Sequence, residues 1–356
     1  MTGLRKRFIG TEVLCLRPEF RKQLMIFCRT PYRVSFFGGG TDYPAWYREN
    51  GGAVLSTTIN KYSYITCRYL PQFFDYKYRI RYYHREETKT IEEIQHPSVR
   101  ECLRFFDFEK GIDIVHHGDL PAQSGLGSSS TFTVGLLHAL SAMKHEMWSK
   151  RELALNAINI EQVKIGENVG SQDQTAAAFG GLNRIDFGGT SEISVSPIIL
   201  RPSKLTSLRQ HLMLFFSGFP RTASDVAYEQ IQKIPEKKDN LRLMMELVNE
   251  SISILQNKTD QLDDFGRLLN EQWLVKQGMS SKISNVEIDA IYQAGMKAGA
   301  LGGKLLGAGG GGFMLFFVRP ERQEEVKQVL KHLLHVPIGF DQIGSQIIYF
   351  SHEDEY

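Results

Sequence analysis

The stretch at residues 120–140, LPAQSGLGSSSTFTVGLLHAL, runs from a glycine turn directly into a helical pattern. Gly125 and Gly127 enclose one leucine, and four hydroxyl residues follow at 128–131. Glycine allows positive φ and lets a ligand approach the backbone closely, while the first turn of a helix presents free N–H groups at the positive end of its dipole. The stretch therefore predicts an anion site suited to phosphate. A plain serine N-cap after a glycine turn is the alternative that these residues leave open.

The same stretch separates a β-rich part of the chain from a helix-rich part. β-Branched and aromatic residues predict strands at 53–69, 77–83 and 112–118, in addition to those that precede the glycines at 38–40. Asp42 is expected to cap a short helix that ends at Gly51, and the other helices are expected from Ser128 onward. Later helices are predicted at about 151–165, 222–234, 239–257, 260–277, 286–299 and 320–334, with strands near 211–218 and 347–350.

Composition indicates a globular soluble protein of two ordinary domains or one large domain. The chain has 356 residues, of which 42% are hydrophobic and 23% charged. Its longest apolar run, FMLFFV, is too short to cross a bilayer, and no basic region followed by an apolar core marks a secretory signal. Four scattered cysteines favour neither a zinc knuckle nor a disulfide framework, so a cytoplasmic protein is expected.

Basic charge is concentrated at the N-terminus. The first 24 residues hold six Lys or Arg and two Glu, whereas the whole chain has a net charge of only +2. The remainder is therefore slightly acidic, which argues against a nucleic-acid partner. Residues 1–24 are interpreted either as an upstream extension before a true start at Met25 or as a flexible arm.

A second glycine loop, GAGGGG at 307–312, contains the dinucleotide-binding pattern G-x-G-x-x-G. That pattern requires a strand before it and a helix after it, whereas the strand-like FMLFFV follows here. A loop that lets two backbone segments approach each other, or one that caps a ligand loop, is therefore favoured. The stretch at 120–131 is also not a Walker loop, because no lysine follows its glycines.

Three motifs, in chain order, resemble those of the GHMP kinases, the superfamily of galacto-, homoserine, mevalonate and phosphomevalonate kinases. PYRVSFFGGGTDYP is similar to the first motif, PAQSGLGSSS to the phosphate-binding second motif and KLLGAGGGGFMLF to the third. The resemblance implies an α/β (α+β) fold of two domains. A β-rich N-terminal domain with a left-handed βαβ-like unit is expected at 25–195, and a ferredoxin-like α+β domain at 196–356.

Within the superfamily, GGGTDYP, QDQTAAAFGGLN, SGFPRTASDV and GGKLLGAGGGGF most resemble the sugar-1-kinases that act on D-glycero-D-manno-heptose 7-phosphate. This resemblance implies that ATP phosphorylates the C1 hydroxyl of a sugar phosphate, with Mg²⁺ as the metal and a homodimer as a possible assembly. An anomeric kinase of an unphosphorylated sugar, such as L-fucose or galactose, is the nearest alternative. A sugar or ATP sensor without turnover is disfavoured because the candidate base, metal ligand and phosphate loop are all present.

Asp173 and Arg33 are the candidate catalytic residues. Asp173 lies in VGSQDQTAAAFGG, a run of small residues that a substrate can approach. From the residues alone an N-cap of a helix at 174–179 is the stronger interpretation, but the resemblance implies a catalytic base. It also places Arg33 beside Asp173, where a guanidinium would keep the carboxylate ionised and steady the transferring phosphoryl group. A surface salt bridge is the alternative for Arg33.

Glu161 is the candidate metal ligand. It shares a predicted helix face with Ala154, Ile158 and Ile165, where a carboxylate requires a partner, unless it reaches solvent at the edge. The resemblance implies a Mg²⁺ site made by Glu161 and Ser129, completed by nucleotide phosphates. The expected ATP-binding residues are Pro121, Ser124, Gly125, Leu126, Gly127, Ser128, Ser129 and Ser130.

The substrate side is assigned to the first and third motifs and to one arginine. A carboxylate such as Asp42 can hold two vicinal hydroxyls, and Tyr43 can pack on a sugar ring or on the core. Arg221 in GFPRTAS, at a predicted helix start, is the candidate for a substrate phosphate, with a solvated surface cation as the alternative. That alternative is stronger for Lys276 and Lys282. The expected substrate-binding residues are Gly39, Gly40, Thr41, Asp42, Tyr43, Arg221, Gly309 and Gly310.

His116, His117 and Asp119 look like metal ligands at first sight. They lie at the end of a predicted strand, where successive residues point to opposite faces. One ion cannot easily take both histidines, so a structural role is favoured.

Overall fold

Strands β1 (Met25–Phe37) and β2 (Gly52–Tyr69) form the centre of a nine-stranded sheet. The computed structural model describes residues 24–71, 73–122, 124–190, 192–218, 223–259 and 261–351. The other strands are β3 (Tyr78–Arg81), β4 (Arg85–Thr88), β5 (Ile112–Gly118), β6 (Leu182–Phe187), β7 (Ile193–Pro197), β8 (Leu212–Phe216), β9 (Ala300–Leu305), β10 (Phe313–Val318), β11 (Leu334–Val336), β12 (Phe340–Asp341) and β13 (Gln346–Phe350).

Eleven α-helices lie in the described residues, and none of them has both the length and the apolar character needed to cross a membrane. They are α1 (Pro44–Asn50), α2 (Pro97–Phe105), α3 (Ser128–Met143), α4 (Lys150–Ile158), α5 (Gln172–Phe179), α6 (Pro202–Gln210), α7 (Ala223–Lys233), α8 (Lys238–Gln256), α9 (Asp263–Gln277), α10 (Val286–Lys297) and α11 (Gln323–Val329).

The two sheets have different topologies. In the large sheet the order is β13-β1-β2-β5-β3-β4, and β2 is long enough to pair with β5 along one part and with β6 along another. In the small sheet the order is β11-β8-β10-β9, with every pair antiparallel. Numbered within that domain the order is 4-1-3-2, which is the ferredoxin-like arrangement that the sequence implies.

The predicted boundary of the second domain needs correction at its end. Strands β12 and β13 return to the large sheet, where β12 pairs with β2 and β13 with β1. The chain end therefore belongs structurally with the N-terminal domain. Short strands of this kind carry no local signal of their partner, because pairing depends on residues hundreds of positions away.

Helix α3 is the element that places the opening stretch inside the molecule. Phe132, Leu136, Leu140 and Met143 are all buried, as their spacing predicts. The buried residues of α3 are mostly apolar or small and lie on nearly every face of the helix, as expected for a core helix. Since α3 packs against β1 and β2, its first turn is held next to the first-motif residues.

Four local predictions differ from the structure. Helices do not begin at Ser128, because α2 precedes it with a proline in its first turn and Val99, Cys102 and Leu103 buried. The helix predicted at 151–165 ends as α4 at residue 158 and continues as a π-helical segment. The last predicted helix stops at residue 329. The N-cap of α1 is Tyr43 rather than Asp42, because the Asp42 carboxylate is used elsewhere.

Candidate active site

Arg33 and Asp173 form an ion pair where β1 meets α5. The Arg33 guanidinium donates from Nε to Oδ1 and from Nη2 to Oδ2 of Asp173, both at 2.7 Å, and from Nη1 to the carbonyl oxygen of Gly125 at 2.8 Å. Arg33 is 3% exposed, whereas the Asp173 side chain is 23% exposed. A bidentate pair fixes both the position and the orientation of the carboxylate. Asp173 therefore presents a fixed, partly open carboxylate to a cavity, and it does not cap α5, whose N-cap is Ser171.

The glycine turn before α3 borders the same cavity. Gly127 occupies the N-cap position of α3 in the left-handed region, with φ 77°, and a Cβ there would lie 3.2 Å from Oδ2 of Asp173. Ser128, Ser129 and Ser130, in the first turn of α3, also line the cavity. The positive end of α3 and the Asp173 carboxylate thus face one space, as a phosphate site beside a base requires.

Three other residues of the predicted ATP loop do not line this cavity. Pro121 is exposed, whereas Ser124 and Leu126 are buried. The carbonyl oxygen of Leu126 accepts from the Arg33 backbone N–H at 3.2 Å, and that of Ser124 from Phe313 at 3.2 Å. Ser124 and Leu126 therefore hold the loop in place between the two domains.

The second and third motifs touch through their backbones. A Cβ on Gly125 would lie 2.4 Å from the carbonyl oxygen of Leu306, and a Cβ on Gly307 would lie 2.5 Å from the Cα of Gly125. Both glycines also have positive φ, 81° and 76°. Only residues without a side chain fit at this crossing. The third glycine loop thus brings two backbone segments together, as its strand-flanked context predicts.

The first motif supplies a buried carboxylate. Asp42 is 2% exposed, and its Oδ1 accepts from the Gly40 N–H at 2.9 Å while Oδ2 accepts from the Gln172 N–H at 3.3 Å. Burial raises the pKa of Asp42, and the charge of Asp173 adds to this effect. Asp42 lines the cavity, as do Gly39, Gly40 and Tyr43.

Thr41, also predicted to bind the substrate, does not line the cavity. Its Oγ1 donates towards the carbonyl oxygens of Gly38 at 2.8 Å and Ala53 at 3.0 Å, and it accepts from the Ala53 N–H at 3.1 Å. The side chain is fully buried. Thr41 instead fixes the glycine turn, because a buried hydroxyl must satisfy its hydrogen bonds.

Gly309 and Gly310 also lie outside the cavity. The Gly310 N–H donates to the carbonyl oxygen of Ile283 at 2.8 Å, and a Cβ on Gly309 would lie 2.7 Å from the Ile283 Cα. These two glycines pack against the neighbouring segment at Ile283. The third motif lines the cavity through Gly307 and Ala308. Arg221 falls outside the described residues.

Glu161 is fully buried in the π-helical segment Asn159–Ile165. Its Oε2 accepts from the Ser130 hydroxyl at 2.7 Å and from the Gln174 side-chain amide, whereas Oε1 has no hydrogen-bond partner among the described residues. Burial raises the pKa of Glu161 to about 7. An unpaired carboxylate oxygen next to the hydroxyls of α3 has the hard-oxygen chemistry that Mg²⁺ prefers, so these residues fit such an ion.

The serine that hydrogen-bonds Glu161 is the neighbour of its predicted co-ligand. Ser130, not Ser129, contacts Glu161, whereas Ser129 is exposed and lines the cavity. Successive residues of a helix point about 100° apart, so adjacent serines face different neighbours. The other suspected cluster is structural: His116 Nε2 contacts Ser63 Oγ at 3.0 Å, and Asp119 accepts from the Tyr62 N–H at 2.8 Å.

Two buried lysines are cavity residues that the sequence analysis undervalued or missed. Lys276, the weaker candidate, lines the cavity from the last turn of α9, and its Nζ donates to the carbonyl oxygen of Gly307. Lys304 on β9 is 1% exposed and donates to the carbonyl oxygens of Ser35 and Phe36, both at 2.9 Å. Lys276 follows the buried face of α9 at helical spacing, which is a signal that could have identified it.

Matches to known proteins cover both sheets. Residues 92–181 match the GHMP kinases N terminal domain and residues 251–335 the GHMP kinases C terminal domain. The chain is 30% identical over 317 residues to the D-glycero-alpha-D-manno-heptose 7-phosphate kinase of Campylobacter jejuni, covering 85% of this chain and 92% of that protein. It is 26% identical over 328 residues to the bifunctional fucokinase/GDP-fucose pyrophosphorylase of Arabidopsis thaliana, covering 85% of this chain but 30% of that protein.

A solved structure agrees with these matches. The D-glycero-D-manno-heptose 1-phosphate kinase of Bacteroides thetaiotaomicron superposes with a TM-score of 0.68 at 26% identity, over 91% of this chain and 99% of that chain. The similarity thus extends through both domains and both glycine loops that meet at the cavity. Since both halves match the same family and the relative from Campylobacter jejuni is covered almost end to end, the chain belongs to the GHMP kinases.

Proposed function

We propose that the protein transfers the terminal phosphoryl group of ATP to the anomeric C1 hydroxyl of D-glycero-D-manno-heptose 7-phosphate, which yields heptose 1,7-bisphosphate. The observation that carries this proposal is the Asp173 carboxylate, held by Arg33 at 2.7 Å and lying against Gly127 at the start of α3. A base and a phosphate-binding helix start therefore share one cavity. The identity of the sugar is supported by the heptose phosphate kinases among the similar proteins.

Each group of residues around the cavity has its own role in the proposed reaction. The first turn of α3 holds the triphosphate through backbone N–H groups and serine hydroxyls. Asp173 accepts the proton of the sugar C1 hydroxyl as its oxygen attacks the terminal phosphorus and ADP departs. Arg33 holds Asp173 in place through two hydrogen bonds. Asp42, with Gly39, Gly40 and Tyr43 beside it, forms the wall that contacts the sugar. A cytoplasmic location is proposed with this reaction, because it consumes ATP.

Mg²⁺ is proposed as the metal, held by Glu161 and a hydroxyl of the first turn of α3. When bound, Mg²⁺ neutralises charge on the nucleotide phosphates. The support is the unpaired, fully buried Oε1 of Glu161. Burying an uncompensated carboxylate is costly, and a cation at that oxygen offsets the cost.

The effect of Mg²⁺ on stability tests the role of Glu161. We expect MgCl₂ with ADP to raise the melting temperature of the wild type at pH 8, because a ligand at about 100 times its Kd adds about 2.7 kcal/mol. Without metal, Glu161→Gln should have a higher melting temperature than the wild type. The raised pKa of about 7 means that ionised Glu161 is unfavourable in the folded protein, and at pH 8 only the wild type carries this buried charge. The melting temperature of Glu161→Gln should rise little when Mg²⁺ is added.

The sign of the pH dependence follows from the same pKa. Above the folded pKa of about 7 the wild type carries the buried charge, and this penalty disappears as the pH falls towards the ordinary value of 4.5. The stability advantage of Glu161→Gln should therefore shrink at low pH. Glu101→Gln, a half-buried carboxylate on α2, is the control. If Mg²⁺ raised the melting temperatures of Glu161→Gln and the wild type equally, the assignment of Glu161 as a metal ligand would be contradicted.

A coupled assay of ADP release over a panel of sugars tests the substrate. We expect turnover with the heptose 7-phosphate and little with L-fucose or galactose. An anomeric kinase of an unphosphorylated sugar remains the second candidate because a fucokinase is among the similar proteins. Turnover with an unphosphorylated hexose alone would favour that candidate. Tight sugar binding without turnover on any member would favour a sensor.

Arg221 is proposed to bind the phosphate that the substrate already carries. Arg221→Ala should raise the KM for the sugar phosphate by about 10- to 100-fold, the value of one charge-assisted hydrogen bond or a bidentate pair. The KM for ATP should change less than about threefold. Initial rates with each substrate varied in turn provide the measurement. Equal changes in both KM values would remove this role from Arg221.

A further inference from the structure

Lys276 is a buried cation with spare hydrogen-bonding capacity. It is 4% exposed, lines the cavity and donates to the carbonyl oxygen of Gly307. An ammonium group has three donors, so two remain without a hydrogen-bond partner among the described residues. Charged groups are rarely buried unless they are paired. A lysine in this position therefore calls for an anionic ligand.

The other two cations of the cavity are more fully engaged. Arg33 makes two hydrogen bonds to Asp173 and one to Gly125. Lys304 donates to two backbone carbonyl oxygens, those of Ser35 and Phe36. Of the described cations that line the cavity, Lys276 thus has the smallest share of its donors engaged, one of three.

The location of Lys276 indicates which ligand it meets. Gly307, which accepts its hydrogen bond, lies directly against Gly125 of the phosphate loop. Arg33 contacts the same Gly125 through its carbonyl oxygen. Arg33 from β1 and Lys276 from α9 therefore approach the same loop segment, Arg33 directly and Lys276 through the third glycine motif. A phosphoryl group carried by this loop lies near both cations.

We propose that Lys276 is a further catalytic residue, whose ammonium group contacts the phosphoryl group in transit between ATP and the sugar. The inference rests on the proposed kinase function and deepens it. The bond from the terminal phosphorus to the sugar oxygen forms while its bond to ADP breaks, and the sugar proton passes to Asp173. Lys276 keeps its own protons and stabilises the negative charge on the equatorial oxygens.

The surroundings of Lys276 provide a pH signature for this role. It faces Arg33 on β1, Lys304 on β9, Asp42 in the first motif and Asp173 on α5. Burial, with a smaller contribution from the charge of Arg33, lowers the pKa of Lys276 to about 8, and the carboxylates of Asp42 and Asp173 oppose the shift. A lysine loses its positive charge as the pH rises through its pKa. The kcat/KM of the free enzyme should therefore fall above about pH 8.

Three variants separate this role from a structural one. Lys276→Met removes the charge but keeps the volume, and Lys276→Arg keeps a charge that does not titrate in this range. Lys282→Met is the matched control, because Lys282 has a 52% exposed side chain paired with Glu229 at 3.3 Å. Thermal unfolding verifies that each variant is folded.

Nucleotide binding is measured first, by calorimetry with ADP and with a non-hydrolysable ATP analogue. Lys276→Met should weaken binding of the analogue about tenfold or more, the value of a charge-assisted hydrogen bond, and leave ADP binding within about twofold. Lys282→Met should change neither. Equal losses for both nucleotides, or no loss, would overturn the proposal. The binding experiment requires no sugar. Its result therefore remains valid even if no sugar of the panel is phosphorylated and the proposed function is rejected.

Turnover is measured second, with the sugar that the panel identifies. Lys276→Met should lower kcat by about 100-fold or more, as for loss of one charge-stabilising donor, with smaller changes in both KM values. Lys276→Arg should recover part of kcat and lose the decline above pH 8. A loss confined to the KM of a phosphorylated sugar would instead assign Lys276 to the substrate phosphate and refute its contact with the group in transit.

Discussion

Asp173→Asn will lower kcat by about 100- to 10,000-fold, the range for loss of a general base. An asparagine side chain has nearly the same shape but cannot accept the sugar proton. It also leaves the Arg33 guanidinium, now bonded to Asp173 through both Nε and Nη2, without its counter-charge. Steady-state kinetics with the accepted sugar, together with nucleotide binding by calorimetry, provide the measurement. ATP affinity should change less than about threefold.

Loss of stability must be separated from loss of chemistry in this variant. Removing one partner of a buried ion pair costs about 3–5 kcal/mol, and Asp173 is partly exposed, so the free energy of unfolding should fall by about 2 kcal/mol. Asp186→Asn is the matched control, because Asp186 pairs with Arg184 at 2.8 Å on the surface of β6. It should retain full activity. If folded Asp173→Asn keeps a near wild-type kcat, another group is the base.

Gly125→Ala will destabilise the protein and abolish most of its activity. The added Cβ would lie 2.4 Å from the carbonyl oxygen of Leu306, at a residue whose φ is 81°. Left-handed backbone costs a residue with a side chain about 1–2 kcal/mol, and the backbone clash with the third motif adds to this. Because Gly125 also accepts the hydrogen bond from Arg33 Nη1, a shifted loop displaces both cations and the phosphate site.

Gly189→Ala isolates the cost of the backbone conformation alone. Gly189 has a φ of 74° and nothing within 4 Å of an added Cβ, and it lies in the turn between β6 and β7. This variant should lose only about 1–2 kcal/mol and keep its kcat. Chemical denaturation and steady-state rates on both variants provide the comparison. Equal losses of stability, with activity intact in both, would show that the contact between the two glycine loops is unimportant.

The sequence predicted most of the long helices because their signals are local. Helices α7 to α11 were placed by apolar spacing, and α3 by the run from Phe132 to Met143, whereas α6 was not predicted. The ferredoxin-like sheet and the kinase family followed from three motifs in order. Helix α2 was missed because it is short and lies among strands. The return of β12 and β13 to the large sheet was missed because strand pairing is not encoded near the strand itself.

The sequence by itself determined the kinase family and the glycine turn before α3, because each depends on residue types at fixed spacing within a motif. The pairing of Arg33 with Asp173, which are 140 residues apart, was implied only by the family resemblance. The tertiary structure alone decided which side chains face the cavity. Thr41 and Gly310 lie in the motifs, yet their hydrogen bonds go to the protein backbone. Lys304 begins the third motif, Lys276 lies on α9, and both line the cavity. A motif specifies a local conformation, but the direction of each side chain depends on which distant segment packs against it.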